Sequence, residues 1–336
     1  MTSATTVPPA ADAAAAGGRA RAERAGHLLQ QHGALIVLVL VGAVSAVAFP
    51  DFAGGANLAN LAVAASFTAM IAVGMTFVII TGGIDLSVGS QFALGGVLAA
   101  WASQYGWVPA LLLPLAVCGT FGLVQGTIIA RTGMAPFIVT LAGLLGARGL
   151  MLAISDEGAD TYLVKSAAFA RLGQGTLLGL AYPVYAALAL FALGGLLLRR
   201  ARFGQYVFAL GGAADSARLM GVPVARVTAA VYVLTGLLAG LAGALNAARL
   251  SSGVTILGTG MELDVIAAVV IGGTLLTGGA GALSGTLAGV LLLGVIQNVI
   301  NQIGSLTSAY QQVVSGAFLA VVVVVQRYLS RVQRLS

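Results

Sequence analysis

The 336-residue chain is 59% hydrophobic and only 8% charged, with a mean hydropathy of +1.01 and a formal net charge of +6. A soluble domain carries about 25% charged residues, so this composition excludes a soluble globular protein and defines an integral membrane protein. The single cysteine, Cys118, excludes an internal disulfide, and the 47 glycines suit close helix packing in lipid.

Taken in order, residues 1–30 are alanine-rich, carry Pro8 and Pro9, and hold no apolar run before Leu28. They read as a disordered cytoplasmic tail without a signal-peptide cleavage pattern. Ten apolar spans are predicted after it. They are 33–49, ended by Pro50-Asp51, then 58–80, 87–102, 108–130, 136–154, 178–198, 227–247, 262–276, 285–300 and 309–325. Aromatic residues at Tyr105 and Trp107 suit a membrane interface, and Pro136 fits the first turn of a helix. The expected fold is an all-α polytopic membrane protein, with a membrane domain over 31–328 and a short cytoplasmic tail over 329–336.

An even number of spans places both termini on one side. With that side cytoplasmic, the arginine groups at 19/21/24, 199/200/202 and 327/331/334 lie inside with Arg131, Arg218 and Arg226, whereas Lys165, Arg171 and Arg249 lie outside. This imbalance follows the positive-inside rule, so the basic balance reports topology and not nucleic-acid binding.

Two stretches carry polar chemistry against this apolar background. The first is Thr81-Gly82-Gly83-Ile84-Asp85-Leu86-Ser87-Val88-Gly89, where Asp85 is the only charge between Asp51 and Arg131. An isolated carboxylate in such a context faces a bundle interior, a cavity or the interface. Here it is either part of a gate or a cap for the next helix. The second is the loop 199–226, too short for a domain core but long enough for one or two helices. Gly211-Gly212 divide an apolar turn from a second helix whose start Asp215 or Ser216 is predicted to cap. Leu219 and Met220 give that helix a small apolar face, suited either to a groove on a partner or to its own bundle.

Further polar groups lie at membrane depth. Thr76, Thr81, Gln297, Asn298, Asn301 and Gln302 are either path-lining groups or helix–helix hydrogen-bonding partners. Glu262 and Asp264 open the eighth span, as capping charges or as direct contacts. Arg148 is expected to pair with Asp156 or Glu262. No phosphate-binding G-x-x-x-x-G-K-[ST] loop is present, Lys165 is the only lysine, and no His/Cys/carboxylate spacing suggests a metal site.

Several of these segments resemble one family in order along the chain. Asp215-Ser216-Ala217-Arg218-Leu219-Met220-Gly221 resembles the Glu-Ala-Ala-x-x-x-Gly coupling signature of ABC importer permeases, with Asp for Glu and Ser for the first Ala. The Gly74–Ala100 stretch, the segment from Gly260 to Thr274 with Gly278, Gly279 and Gly281, and Tyr310-Gln311-Gln312-Val313-Val314 are similar to permeases for ribose and related monosaccharides. Residues 134–143 and 203–222 are most similar to a galactofuranose-type permease subunit.

The resemblance implies an ABC importer permease of the bacterial plasma (inner) membrane, moving a monosaccharide with ATP hydrolysed elsewhere. Its implied partners are two cytoplasmic ATPases, which would bind ATP and Mg, a second permease subunit (identical or paralogous) and an extracytoplasmic sugar-binding protein. It places the coupling role on Phe203, Gly204, Gly212, Asp215, Ser216, Ala217, Arg218 and Gly221. The path or gate candidates are Thr81, Gly82, Gly83, Asp85, Ser87, Glu262, Asp264 and Asn298. No cofactor and no catalytic residue are expected in the chain itself. The alternative from the residues is a secondary carrier with Asp85 as a proton or sodium relay.

Overall fold

The computed structural model describes residues 33–303, with Val313, Gly316, Ala317 and Ala320 beyond them. The tail 1–30, most of the tenth span, Tyr310 to Gln312 and the arginines at 327, 331 and 334 lie outside the described residues. Twelve α-helices are described in the continuous part. These are α1 (Gly33–Ala48), α2 (Gly55–Ile80), α3 (Val88–Ala102), α4 (Trp107–Thr132), α5 (Pro136–Ile154), α6 (Ala167–Gln174), α7 (Tyr182–Arg200), α8 (Arg202–Gly212), α9 (Ala214–Leu219), α10 (Val224–Leu250), α11 (Met261–Ile271) and α12 (Leu283–Ile303).

Six of these, α2, α4, α5, α7, α10 and α12, are long and apolar enough to cross a membrane. The bundle is layered. In α2, 89% of the most apolar stretch is buried, against 22% in α5, which separates inner from outer helices. A helix apolar on all sides belongs inside a bundle or in lipid. The outer helices turn Leu112, Leu123, Phe137 and Leu145 outward, the surface that lipid solvates. The inner core joins α2, α3 and α10, where the packing is backbone to backbone. A Cβ on Gly243 of α10 would collide with the Phe92 carbonyl of α3, and one on Gly236 with the Cys118 carbonyl of α4. Small residues at such contacts let helices approach closely without a hydrophobic drive.

One predicted span differs in kind. The apolar run 262–276 predicts a full eighth span, but α11 has 11 residues. At 1.5 Å per residue it extends about 16 Å, half of the roughly 30 Å hydrocarbon core. The chain reaches it through the non-helical stretch 251–260, which starts at an isolated bridge between Ser252 and Leu163 and brings Gly258 against Gly89. The irregular stretch before it is half-buried for the most part, with Gly253 buried and Ile256 and Thr259 exposed.

Smaller differences have local causes. The sixth span begins at Tyr182 and not at residue 178, because Thr176–Leu177 and Leu180–Ala181 form a two-stranded hairpin with Pro183 setting the first helical turn behind it. The polar stretch 155–177 is partly ordered as α6, capped by the Ser166 hydroxyl accepting from the Phe169 N–H at 3.3 Å. At that end Trp101 and Tyr105 meet edge to face, with ring centroids 5.4 Å apart.

Candidate functional site

The corner between α2 and α3 is closed by hydrogen bonds. Gly82 takes φ +81°, which lets the chain leave α2 sharply. Asp85, fully buried, accepts from the Ser87 N–H at 2.9 Å and the Ser87 hydroxyl at 2.5 Å, both through Oδ1. The Ser87 oxygen in turn accepts from Gln91 Nε2 at 2.6 Å and Gln125 Nε2 at 3.1 Å. The Thr140 hydroxyl of α5 donates to the Ile84 carbonyl at 3.2 Å.

Asp85 therefore does not cap the first-turn amides of α3. It holds the corner itself, tied through Ser87 to α3 and α4. The Tyr232 hydroxyl lies against Gly83 and within electrostatic reach of Asp85. Both that hydroxyl and Asp85 Oδ2 are buried without a hydrogen-bond partner. Gly83 and Ser87 are buried as well, whereas Thr81 is half-buried, its hydroxyl donating to the Val78 carbonyl at 2.7 Å, and Gly82 is exposed. Of the corner's gate candidates, the structure encloses Gly83, Asp85 and Ser87 in protein.

The loop 199–226 folds as α8 and α9. Phe203 stacks on Phe77 of α2 with centroids 6.0 Å apart, and Gly204 abuts the end of α7. Gly211 sits inside α8 against the Ile80 carbonyl and Gly279, and Gly279 N–H donates to that carbonyl at 2.9 Å. Three chain segments thus meet through backbone at one point. The glycine pair expected to divide the two helices lies within the end of α8, and the break falls one residue later, at Ala213.

The predicted side-chain cap on α9 is absent; Ala213 is the N-cap, with Asp215 in the first turn, where its charge favours the helix dipole. Ala217 is fully buried, while Asp215, Ser216, Arg218, Leu219 and Met220 are exposed, Leu219 at 90%. Gly221 has φ +82°, with its N–H donating to Arg218 O and the Val222 N–H to Ala217 O, both at 3.0 Å. This is a Schellman ending, which requires a left-handed residue at that position. The small residue and the glycine of the signature are therefore the buried anchor and the stop of an otherwise exposed helix.

The stretch 251–260 is held from the side. Arg148 Nη1 donates to the carbonyls of Thr255 at 2.8 Å and Leu257 at 3.3 Å, and Nη2 donates to Thr259 Oγ1 at 3.3 Å. The expected Arg148–Asp156 or Arg148–Glu262 pairing gives way to these loop oxygens, with Glu262 remaining in electrostatic reach. An arginine presents five donors, enough to hold several carbonyls at once. Glu262 and Asp264 stand in the first turn of α11, and the Glu262 carboxylate lies against Gly89.

Asp264 and Asn298 come together elsewhere, in a cleft of about 220 Å³ between α2 and α12 that Asn60, Thr68, Gln297 and Asn301 also line. At its rim Asn57 and Asn298 exchange amide hydrogen bonds of 3.1 and 2.8 Å, and Gln302 Nε2 donates to Asn298 Oδ1 at 2.8 Å. Thr76 is buried away from it, paired with Thr286 at 2.9 Å. Sequence reading missed Asn57, Asn60, Gln91, Gln125 and Tyr232. The first two stand one helical turn apart, a polar spacing visible on α2; the others carry no such signal.

The comparisons agree with this architecture. The family described as branched-chain amino acid transport system / permease component matches residues 57–323, and the chain belongs to it. It is a multi-pass membrane permease. The ribose import permease protein RbsC of Escherichia coli (strain K12) is 40% identical over 89% of this chain and 94% of its own. The inner membrane ABC transporter permease protein YjfF of the same strain is 41% identical over 84% and 87%. The L-arabinose ABC transporter permease protein AraH of Azospirillum brasilense is 36% identical over 95% and 94%. No solved structure matches the chain.

Proposed function

We infer that this chain is the membrane-spanning subunit of an ATP-driven importer for a monosaccharide of the ribose and arabinose class. The observation that carries the reading is similarity over nearly the whole chain to permeases named for those sugars. The galactofuranose assignment rests on residues 134–143 and 203–222 alone. The exposed α9 supports the importer reading, since a helix with Leu219 and Met220 outward is a ready contact for an ATPase groove.

In this reading the α8–α9 end is cytoplasmic, as supported by Arg131, Arg199, Arg200, Arg202, Arg218 and Arg226 gathered on the segments there. Ten crossings with both termini inside, counting α1, α3 and the broken α11, complete the topology. Two ATPases bind ATP and Mg beneath α9, a second permease completes the path, and a sugar-binding protein delivers from outside. The chain contributes no catalytic group and no cofactor of its own. Closure of the ATPases pushes α9, and α8 passes the motion to the end of α2 and the 272–282 loop. The enclosed position of Asp85, bonded through Ser87, gives an ion relay no exposed acceptor, so the carrier alternative has no support.

The test is purification of the tagged protein from its native membranes in mild detergent, with and without the double substitution Ala217→Glu, Gly221→Glu. An ATPase subunit co-purifying with the wild type and lost from the variant is the expected result. Equal recovery with both proteins overturns the assignment of α9, and an ATPase absent from both overturns the importer reading.

A further inference from the structure

The first half of α2 is unlike the second. From Phe67 onward the helix is almost wholly buried, whereas Asn60 and Ala64 are exposed and Asn57, Leu61 and Thr68 half-buried. The large exposed residues within the outer helices α4 and α5 are apolar, among them Leu112, Leu123, Ile128, Phe137, Ile138 and Leu145, and the exposed Thr120 of α4 satisfies its hydroxyl on the Ala116 carbonyl. The wall that α2 and α12 share instead presents Asn60, Thr68, Gln297, Asn298 and Asn301, with Asp264 of α11 at its side. The Asn60 and Gln297 amides turned toward hydrocarbon would each cost several kcal/mol, on the order of 2–7 for an amide without a partner. This face meets water, a polar solute or another polar surface.

The chemistry of the lining narrows the choice. Each side amide offers two donors and an acceptor, and a carboxylate offers acceptors only. Hydroxyl groups, which both donate and accept, match that set. Among the described residues no Lys or Arg lines the cleft and Asp264 is acidic, so phosphate and carboxylate solutes are disfavoured. Leu61, Val290 and Leu293 supply an apolar strip against which the C–H face of a sugar ring can lie. At about 220 Å³ the cleft is smaller than the roughly 300–1,000 Å³ pockets of drug-sized ligands. The Asn57–Asn298–Gln302 bonds hold the rim in place before anything arrives.

We propose that the cleft between α2 and α12 is a transit site for one uncharged monosaccharide ring, with Asp264, Asn60, Gln297 and Asn301 contacting its hydroxyls. This deepens, and rests on, the sugar-import reading. Asp264 and Asn301, which already interact with protein groups, exchange or share those contacts when the ring passes. Low affinity is what transport needs, because a site that binds too tightly does not release.

The test places a single cysteine in the cleft, as Ala64→Cys or Gln297→Cys, in the intact importer with Cys118→Ala. Leu145→Cys on the lipid side of α5 is the control. A membrane-impermeant thiol reagent is expected to label the cleft positions and not the control. Ribose, arabinose, galactose and glucose, each at millimolar concentration, are tried as protectants against ribose 5-phosphate and leucine. At least a threefold slowing of labelling by one neutral sugar, and none by the two charged solutes, is the expected outcome.

No labelling at either cleft position overturns the proposal, because the face is then covered by protein or lipid. Labelling without protection by any of the sugars overturns it too. In import assays with a protecting sugar, Asp264→Asn is expected to raise KM on the order of tenfold, the loss of one charge-assisted hydrogen bond, with ATPase co-purification unchanged. An unaltered KM and rate overturns the role of Asp264. The importer reading fails separately, if no ATPase co-purifies while sugar protection persists.

Discussion

The two halves of α2 are joined to the rest of the bundle by opposite means. At Ile80 the contact is backbone on backbone, with the carbonyl accepting from Gly279 and Gly211 packed against both, and Gly272 against Gly285 closes the same loop. At that point these segments touch through backbone, and in the importer reading α8, the end of α2 and the 272–282 loop therefore move together. At Asn57 the contact is side chain on side chain, through amides that swap partners at little cost. A stiff junction suits transmission of a push, and an adaptable polar wall suits a moving solute.

The largest effect expected is at the stiff junction. Gly211→Val drives a branched side chain into the Ile80 carbonyl, and overpacking of this kind costs about 1–3 kcal/mol or more. Sugar import is expected to be lost with α9 intact, so the ATPase still co-purifies. Import at the wild-type rate breaks the comparison.

The second effect concerns the corner beside the junction. Asp85→Leu removes the acceptor for both Ser87 donors and leaves buried polar groups without a partner, a loss of about 1.5–3 kcal/mol per charge-assisted bond. The melting temperature in detergent is expected to fall clearly, while import in the surviving fraction stays insensitive to an uncoupler. An unchanged melting temperature would show that the carboxylate does not hold the corner.

The third is intermediate. Gly221→Ala forces an L side chain into a left-handed position and costs about 1–2 kcal/mol, felt at the end of α9. ATPase recovery is expected to weaken without vanishing, as read by quantitative pull-down. The smallest expected effect lies on the soft side. A double-mutant cycle on Asn57→Ala and Asn298→Ala is expected to give a coupling of about 0.5–1.5 kcal/mol, by thermal unfolding in detergent. A coupling above that of the Asp85 contact would invert the comparison.

Much of the architecture was legible beforehand. Pro50, Arg131, Pro136 and Arg200 mark where apolar runs start or stop, and α5 begins and ends where the composition changes. The short helix α9 was visible in Asp215 to Gly221, whose glycine is the ordinary sign of a helix stop. The half-length of α11 was not, because an apolar run reads alike whether its backbone is helical or broken. The interface partners of Asn298 and Arg148 were equally hidden.

By itself the sequence determined that this is a polytopic membrane permease, where its long helices lie and where the short helix α9 sits. Those properties reside in composition and in residues adjacent along the chain. Only the tertiary structure decided that Asp85, Ser87, Gln91 and Gln125 share one network, that Arg148 grips the 255–259 loop, and that Asn60 faces Gln297 across a cleft. The physical reason is the all-round apolarity of stretches such as residues 69–80 of α2. A helix without an apolar stripe gives no direction to its neighbours, so lateral pairing is set by where glycines allow two backbones to touch.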